Sequence, residues 1–468
     1  MSKERKSIIA WIREKDLFKI LCFGIAAFTI TAMWLMFEFK DLDSLTAWSL
    51  NIWDVIFDKD LGLKDFYSYT SLNLHGVMHQ YCQGNYLWLI PLSIWNFPMW
   101  VIVNLFDLTV IGNPYCILWS KLYFMGFHVG MAFVSYLISK KLGRQNWASM
   151  LLILAAPEIL ISAEYTGQDE VAYVFCLLLV VYYMLCDKWK WAYMLCVVSV
   201  SFCPIMILPV TALILYKEKS VIKIALYEGG LFIPLMLFEF AYRNDEIYQI
   251  MKGGYSLERV VEQMFPVSNV QTTMGLAPIS IILCILVLFF AYTRKSFEGR
   301  ELLYIVTAIV MIISFLMDNY FYRTFIYVPF LITAVVLNST MQNMNLFLLT
   351  LLTYCRAFWN LTVGVENNMN TLFVLKNSWI TQICDYFGSD RYGFYTCRNL
   401  AVYIEQSVPA WAHWMVAAIA FASAILLMYC NYYKKEKSYE LALDYRLSIF
   451  AYVLCMPLIL VAFWLILI

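Results

Sequence analysis

The amino-acid sequence predicts an all-α, polytopic transmembrane helical bundle. Three observations predict it. Of 468 residues, 62% are hydrophobic and 14% charged, against about 45–50% apolar and about 25% charged in soluble domains. The excess recurs along the whole chain, as about eleven to thirteen apolar segments. Most run for about 17–23 residues, the length that crosses about 30 Å of hydrocarbon as a helix. The runs lack the roughly ten-residue alternation of a membrane β-barrel. The formal net charge of zero gives no footing for a nucleic-acid partner.

Charge orders the segments. Lys3, Arg5, Lys6, Arg13 and Lys15 precede the first run and favour a cytoplasmic amino terminus. That run, 18–37, is too long for a cleavable signal and lacks a small-residue cleavage site, so it stays as the first helix. It delivers a first outer loop, 38–85, to the other face. Further crossings are expected at 119–139, 147–163, 171–186, 221–242, 275–292, 302–316, 321–337, 346–359, 409–430 and 447–468. An odd number of crossings puts the carboxyl terminus outside. The loop with Lys434, Lys435 and Lys437 stays inside.

Two runs break the alternation. The run 86–106 holds Pro91 and an Asn96-Phe97-Pro98 interruption. A full crossing there would move Lys140, Lys141 and Arg144 outside, so it reads as a broken or re-entrant element. The run 191–216 lies between Lys188, Lys190 and Lys217, Lys219. Both flanks want the cytoplasm, so it reads as a helical hairpin kinked near Pro204. Residues 1–340 form one transmembrane module, and 341–468 add further helices with an outer loop at 361–408.

Most of the 13 cysteines fall inside apolar runs, where Cys behaves as a small hydrophobe. No CxxC occurs, which removes a zinc or thioredoxin-type reading. Cys384 and Cys397 share the outer loop, where a disulfide is permitted.

Ionisable groups near the midplane are few: Lys121, Glu158 and Glu228. Intramembrane charges mark function or snorkel to the interface. The polar chemistry concentrates in the outer segments. Asp41 and Asp43 follow the first helix, with Trp48 beyond them. Carboxylates at a membrane–water boundary can act as bases; acidic pairs are also common in solvated loops. His75 and His79 have metal-ligand spacing on a helix, but no third ligand stands near and Gly76 weakens a helix there. Tyr86 and its aromatic neighbours suit either interfacial anchoring or sugar stacking. Glu164-Tyr165-Thr166-Gly167-Gln168-Asp169-Glu170 makes a tight polar outer turn. Asp318-Asn319-Tyr320-Phe321-Tyr322-Arg323 makes another, whose arginine fork suits a phosphate.

Order and sidedness of these motifs resemble the GT-C membrane glycosyltransferases, above all the dolichyl-phosphate-glucose glucosyltransferases and bacterial mannosyltransferase-related membrane proteins. That group shows an Asp, an acidic residue two on and a Trp seven on, as Asp41, Asp43 and Trp48 do here. Gly84-Asn85-Tyr86-Leu87-Trp88 stands where the group has a Tyr-Pro-Pro-like segment, without the double proline. Gly167-Gln168-Asp169-Glu170 is similar to its Gly-Gln-x-Asp turn, with Asp169 one position early. Phe202-Cys203-Pro204 loses a lysine, and Phe321-Tyr322-Arg323 keeps only the arginine of a His-Glu-Arg. The likeness covers residues 18–340.

The resemblance implies sugar transfer at the outer face of a bacterial cell membrane, from a polyprenyl-phosphate donor to a glycan or lipid-linked acceptor, with inversion. It implies Asp41 and Asp43 as catalytic residues. Trp48, His79, Tyr86, Gln168, Asp169, Glu170 and Arg323 would bind substrate. No cofactor and no metal is expected. A transporter or flippase of a lipid-linked sugar and a non-catalytic membrane scaffold stay open as alternatives. A transporter would need its essential charges at the midplane.

Overall fold

The computed structural model describes residues 17–39, 41–72, 81–82, 84–110, 113–144, 147–251, 277–316, 321–338, 342–363, 371–373, 407–433 and 445–467. The first helix, α1 (Leu17–Met36), carries no acid or base after Lys19. It ends in a three-residue strand, β1 (Phe37–Phe39). A second helix, α2 (Asp41–Phe57), follows at once.

Beyond it come α3 (Ile90–Phe106), α4 (Pro114–Lys141) and α5 (Trp147–Leu154). Then follow α6 (Glu170–Leu185), α7 (Trp189–Phe202), α8 (Ile207–Lys217), α9 (Val221–Leu231) and α10 (Ile233–Tyr242). The last third holds α11 (Ala277–Thr293), α12 (Gly299–Leu316), α13 (Val328–Val336), α14 (Gln342–Val363), β2 (Thr371–Phe373), α15 (Ala410–Tyr433) and α16 (Tyr445–Leu467).

Among the described residues, seven helices are long and apolar enough to cross a membrane, or eight if the bent pair of α5 and Pro157–Tyr165 is one span. Shorter apolar helices add to them. The chain is a multi-pass, all-α membrane protein, and two short strands are the exception.

Helix ends gather at two opposite ends of the bundle. At one, Lys217 after α8 pairs with Asp187 after α6 at 3.1 Å. Arg294 after α11 pairs with Glu301 in α12 at 2.9 Å. Lys19 at the head of α1 lies over Trp147 at the head of α5, and Arg446 in α16 reaches Phe18. The Lys217–Asp187 contact means that α7 and α8 run out and back. The break falls at Cys203, which is extended, before the turn Pro204–Met206. The hairpin expected around Pro204 is therefore present.

Several expectations need correction. The first outer loop is not simply a loop, since α2 fills 41–57 and twelve of its residues are buried. Trp53 Nε1 donates to Ser93 O at 2.7 Å. Asn96 Nδ2 donates to Ser49 Oγ at 2.8 Å and Ser120 Oγ at 3.1 Å. Thr46 Oγ1 donates to Ser120 Oγ at 3.0 Å. These polar bonds fasten α2, α3 and α4, as interhelical hydrogen bonds do inside membranes.

The α3 helix is unbroken. Asn96, read as part of an interruption, is the hub of the contact, and Pro98 sits inside a continuous helix, as proline can in membrane helices. The α3 helix nonetheless stays at the other end of the bundle. It meets α4 at Cys116, Trp119, Ser120 and Tyr123, while the segment leading into it packs on Tyr242, the last residue of α10.

The expected crossing 147–163 is bent by 48° at Pro157, whereas 221–242 is long and apolar enough to cross with the expected bounds, despite one turn residue at Phe232. The expected span 346–359 lies inside a longer helix, α14. This helix buries Asn345 against Asn431, with two amide bonds of 2.9 Å.

Packing follows from small residues and buried polar partners. A Cβ on Gly130 of α4 would lie 2.8 Å from Phe175 of α6. The glycine lets the two helices close in. Lys121 is fully buried and does not snorkel. Its Nζ donates to Met33 O at 3.1 Å, Trp34 O at 2.7 Å and the Phe37 carbonyl. The charge caps the last carbonyls of α1, where the helix dipole favours a cation. Glu228, the other charge expected near the midplane, accepts from Thr211 at 3.1 Å. The Lys3–Lys15 cluster, Lys434–Lys437 and the Cys384 and Cys397 pair lie outside the described residues.

Candidate functional site

The candidate site at the acid-bearing end starts from the geometry of two turns. Asp41 is the first residue of α2, and Asp43 lies in the same first turn. Two acids there suit the positive end of the helix dipole. They do not extend α1, because β1 intervenes. Asp41 is half-buried and Asp43 buried. Trp48, seven positions after Asp41, falls on nearly the same helix face and is also buried.

The second turn follows a π-helical segment, Ile161–Tyr165, a form that recurs at functional sites. Thr166 N donates to Ile161 O at 2.8 Å and Gln168 N to Ser162 O at 3.1 Å. Gly167 turns the chain with φ +58°, a left-handed conformation that a Cβ disfavours. A Cβ there would also lie 2.7 Å from Leu42 Cδ1 and 3.3 Å from Phe124. Leu42 stands between Asp41 and Asp43. The close approach thus seats the Gly167–Glu170 turn on the first turn of α2. Phe39 and Tyr165 pack edge to face at 5.9 Å beside it.

Gln168, Asp169 and Glu170 are 6%, 6% and 1% exposed. The sequence reading placed them in water; the structure buries them. Gln168 Nε2 has no hydrogen-bond partner among the described residues. Asp169 lies within electrostatic reach of Cys82. Burial first, and then the Asp169 carboxylate, hold the Cys82 thiol above its usual range.

Tyr86 sits one step away. Its ring packs on Phe66 at 4.8 Å and Phe238 at 5.0 Å. The Tyr242 hydroxyl donates to the Leu63 carbonyl and, its one proton used there, accepts from the Tyr86 hydroxyl at 3.0 Å. Tyr67 donates to Gly84 O at 2.5 Å. This buried ring cluster ties the outer segment to α10, and Cys82 lies between it and Asp169. Tyr86 is a structural anchor in this arrangement, not a side chain facing an open cleft.

Of the expected site residues, Asp41 and Asp43 flank Leu42, which packs on Gly167 just before Gln168, Asp169 and Glu170, and Trp48 lies on the same helix as the two aspartates. His79 lies outside the described residues. Arg323 is in a 3₁₀ segment, Phe321–Tyr327, and its side chain is outside them too. Among the described residues, no three His, Cys, Asp or Glu side chains are grouped to hold a metal ion.

Sequence reasoning missed His128. Its Nδ1 shares a hydrogen bond of 2.8 Å with Glu164, and its Nε2 meets Ile153 O at 2.9 Å. The carbonyl only accepts, so Nε2 donates. The pair is fully buried and holds the π-helical segment from which the Gly167 turn springs. A histidine in the middle of an apolar run was the available signal.

It also missed the contact among Glu158, Tyr327 and Arg356. Tyr327 donates to Glu158 Oε1 at 3.5 Å. Arg356 lies within electrostatic reach of both. The β1–β2 ladder was missed as well, with Phe37 opposite Phe373 and Phe39 opposite Thr371. It brings a segment of the outer loop 361–408 to the start of α2. No protein-family model matches the sequence, and no curated protein matches it.

Proposed function

We propose that the chain is a membrane glycosyltransferase that moves a sugar from a polyprenyl-phosphate donor to an acceptor hydroxyl at the outer end of the bundle. One observation carries this reading. Leu42, which stands between Asp41 and Asp43, packs on Gly167, the residue before Gln168, Asp169 and Glu170. This supports a site in which a carboxylate base works with amide and carboxyl groups suited to sugar hydroxyls. The amino terminus and the end rich in Lys and Arg face the cytoplasm in this reading, so the site faces outward.

Asp41 is the base. It takes the proton from the acceptor hydroxyl, whose oxygen attacks the anomeric carbon from the side opposite the phosphate. The bond from the anomeric carbon to the phosphate oxygen breaks, and its electron pair leaves with the lipid phosphate. Arg323 stabilises that developing charge. Asp43 orients Asp41, and Gln168, Asp169 and Glu170 hold the sugar.

A second reading has its own support. His128, Glu164, Glu158 and Arg356 are buried inside the bundle, where a carrier of lipid-linked sugars would place its charges. One assay separates the two. Purified protein is given a radiolabelled polyprenyl-phosphate sugar with candidate acceptors in detergent, and the same lipid in sealed vesicles. Bond formation in detergent that Asp41→Asn abolishes supports the transferase. Movement across vesicles with no new glycosidic bond sinks it.

A further inference from the structure

A groove of about 480 Å³ lies between α11, α12 and α15, and none of its lining residues belongs to the acid-bearing turn. Phe290, Tyr304, Ala308, Met311, Phe421 and Tyr432 line it. From Tyr304 to Leu316 it follows α12 for roughly 18 Å at 1.5 Å per residue, about half of a ~30 Å hydrocarbon core. Its wall is almost wholly apolar, and exposed Leu286 and Ile425 flank it. The groove therefore opens sideways toward lipid and suits a single chain.

Its mouth is basic. Arg294 lies over Phe290 at 4.0 Å and donates to the Tyr432 hydroxyl at 2.8 Å. Both rings line the groove. Lys295 and Arg300 are exposed beside it. Two acids stand near. Glu301 is turned inward and held by Arg294 at 2.9 Å, by Tyr216 at 3.0 Å and by Tyr432 at 3.4 Å. Glu298 is exposed, and its backbone N–H donates to Tyr216. Lys219 adds a further cation, with Nζ donating to Leu215 O and Ala291 O at the end of α11. The balance at the mouth is positive after Glu301 and Glu298 are counted.

An apolar groove between helices with a cationic mouth is complementary to an anionic lipid. We propose that this groove holds one acyl chain of an anionic phospholipid whose phosphate sits at Arg294, Lys295 and Arg300. The site is separate from the acid-bearing turn and does not depend on the transferase reading.

The test uses the full chain, delipidated in mild detergent and given phosphatidylglycerol or phosphatidylcholine. Native mass spectrometry reads the lipid retained. Wild-type protein should keep phosphatidylglycerol over phosphatidylcholine. Lys295→Gln with Arg300→Gln should cut that preference about tenfold, while a chain is still bound. Ala308→Trp should fill the groove and abolish retention of both lipids. If it does not fold, the smaller Ala308→Val should lower retention in the same direction. Equal retention of the two lipids by wild type would overturn the proposal. So would undiminished phosphatidylglycerol in the Ala308 variants, or displacement of phosphatidylglycerol by an equal amount of polyprenyl phosphate.

Discussion

The two ends of this bundle are held by different physics. At the Lys- and Arg-rich end, charges do the joining: Lys217 to Asp187, Arg294 to Glu301, Lys219 to two carbonyls. At the acid-bearing end, shape does it. Leu42 fills the space that a side chain at position 167 would need, and four rings, Phe66, Phe238, Tyr242 and Tyr248, pack around Tyr67 and Tyr86. Exposed charge pairs tolerate exchange, because water replaces either partner at little cost. A contact set by close packing does not, because overpacking forces neighbours off their rotamers. The end proposed to do chemistry is thus the end whose geometry is least adjustable.

The largest expected effect tests the chemistry at that end. Asp41→Asn keeps the shape and removes the proton acceptor, so turnover should fall by ~10²–10⁴-fold. Unchanged insertion and elution on size exclusion would show that packing is intact. Near-full activity in Asp41→Asn with loss in Asp43→Asn would move the base to Asp43. Retained activity in both would remove the mechanism.

The next substitution asks whether the sterically fitted end also leans on one buried charge. His128→Ala leaves Glu164 buried without its 2.8 Å partner, which costs on the order of 3–5 kcal/mol for a broken buried pair. Thermal melts in detergent should show it. An unchanged melting temperature would mean that Glu164 needs no counter-charge.

Gly167→Ala sharpens the contrast itself. The new methyl meets Leu42 at 2.7 Å and sits at φ +58°, a combination that costs about 1–3 kcal/mol. Activity should fall further than stability does. Leu42→Ala in the same chain should recover part of the loss, since it clears the space. No recovery would show that the backbone conformation alone matters.

The smallest effect belongs to the charged end. The Lys217 and Asp187 side chains are 33% and 89% exposed, so Lys217→Gln should change stability by about 0.2–1 kcal/mol at most. A larger drop in melting temperature would erase the distinction between the two ends.

How much of this was legible follows from where each residue's partner lies in the chain. The helical class, and most helix limits within a turn, follow from apolar runs that carry their own reason for helicity. The hairpin at Pro204 was legible because flanking lysines on both sides demanded one face. The burial of α2 was not. Asp41-Leu42-Asp43-Ser44 reads as polar loop, and the groups that bury it, Asn96 and Ser120, come from much later segments. Pro98 signalled a break, yet it sits inside a continuous helix. His128 had no local partner to announce it, since Glu164 stands 36 residues on. At the candidate site, Gly167 and the acids beside it were visible, but their contact with Leu42 exists only in three dimensions.

The β1–β2 ladder has a consequence for biosynthesis. Phe37–Phe39 leaves the ribosome early, and its partner Thr371–Phe373 appears only after most of the helices have been made. Chains emerge and fold from the amino terminus onward, so for most of translation the segment just before Asp41 waits without its neighbouring strand. A nascent chain stopped short of residue 371 can insert its first helices and still lack the finished outer end. The strand pairing beside Asp41 is therefore completed only after residue 373 has been made.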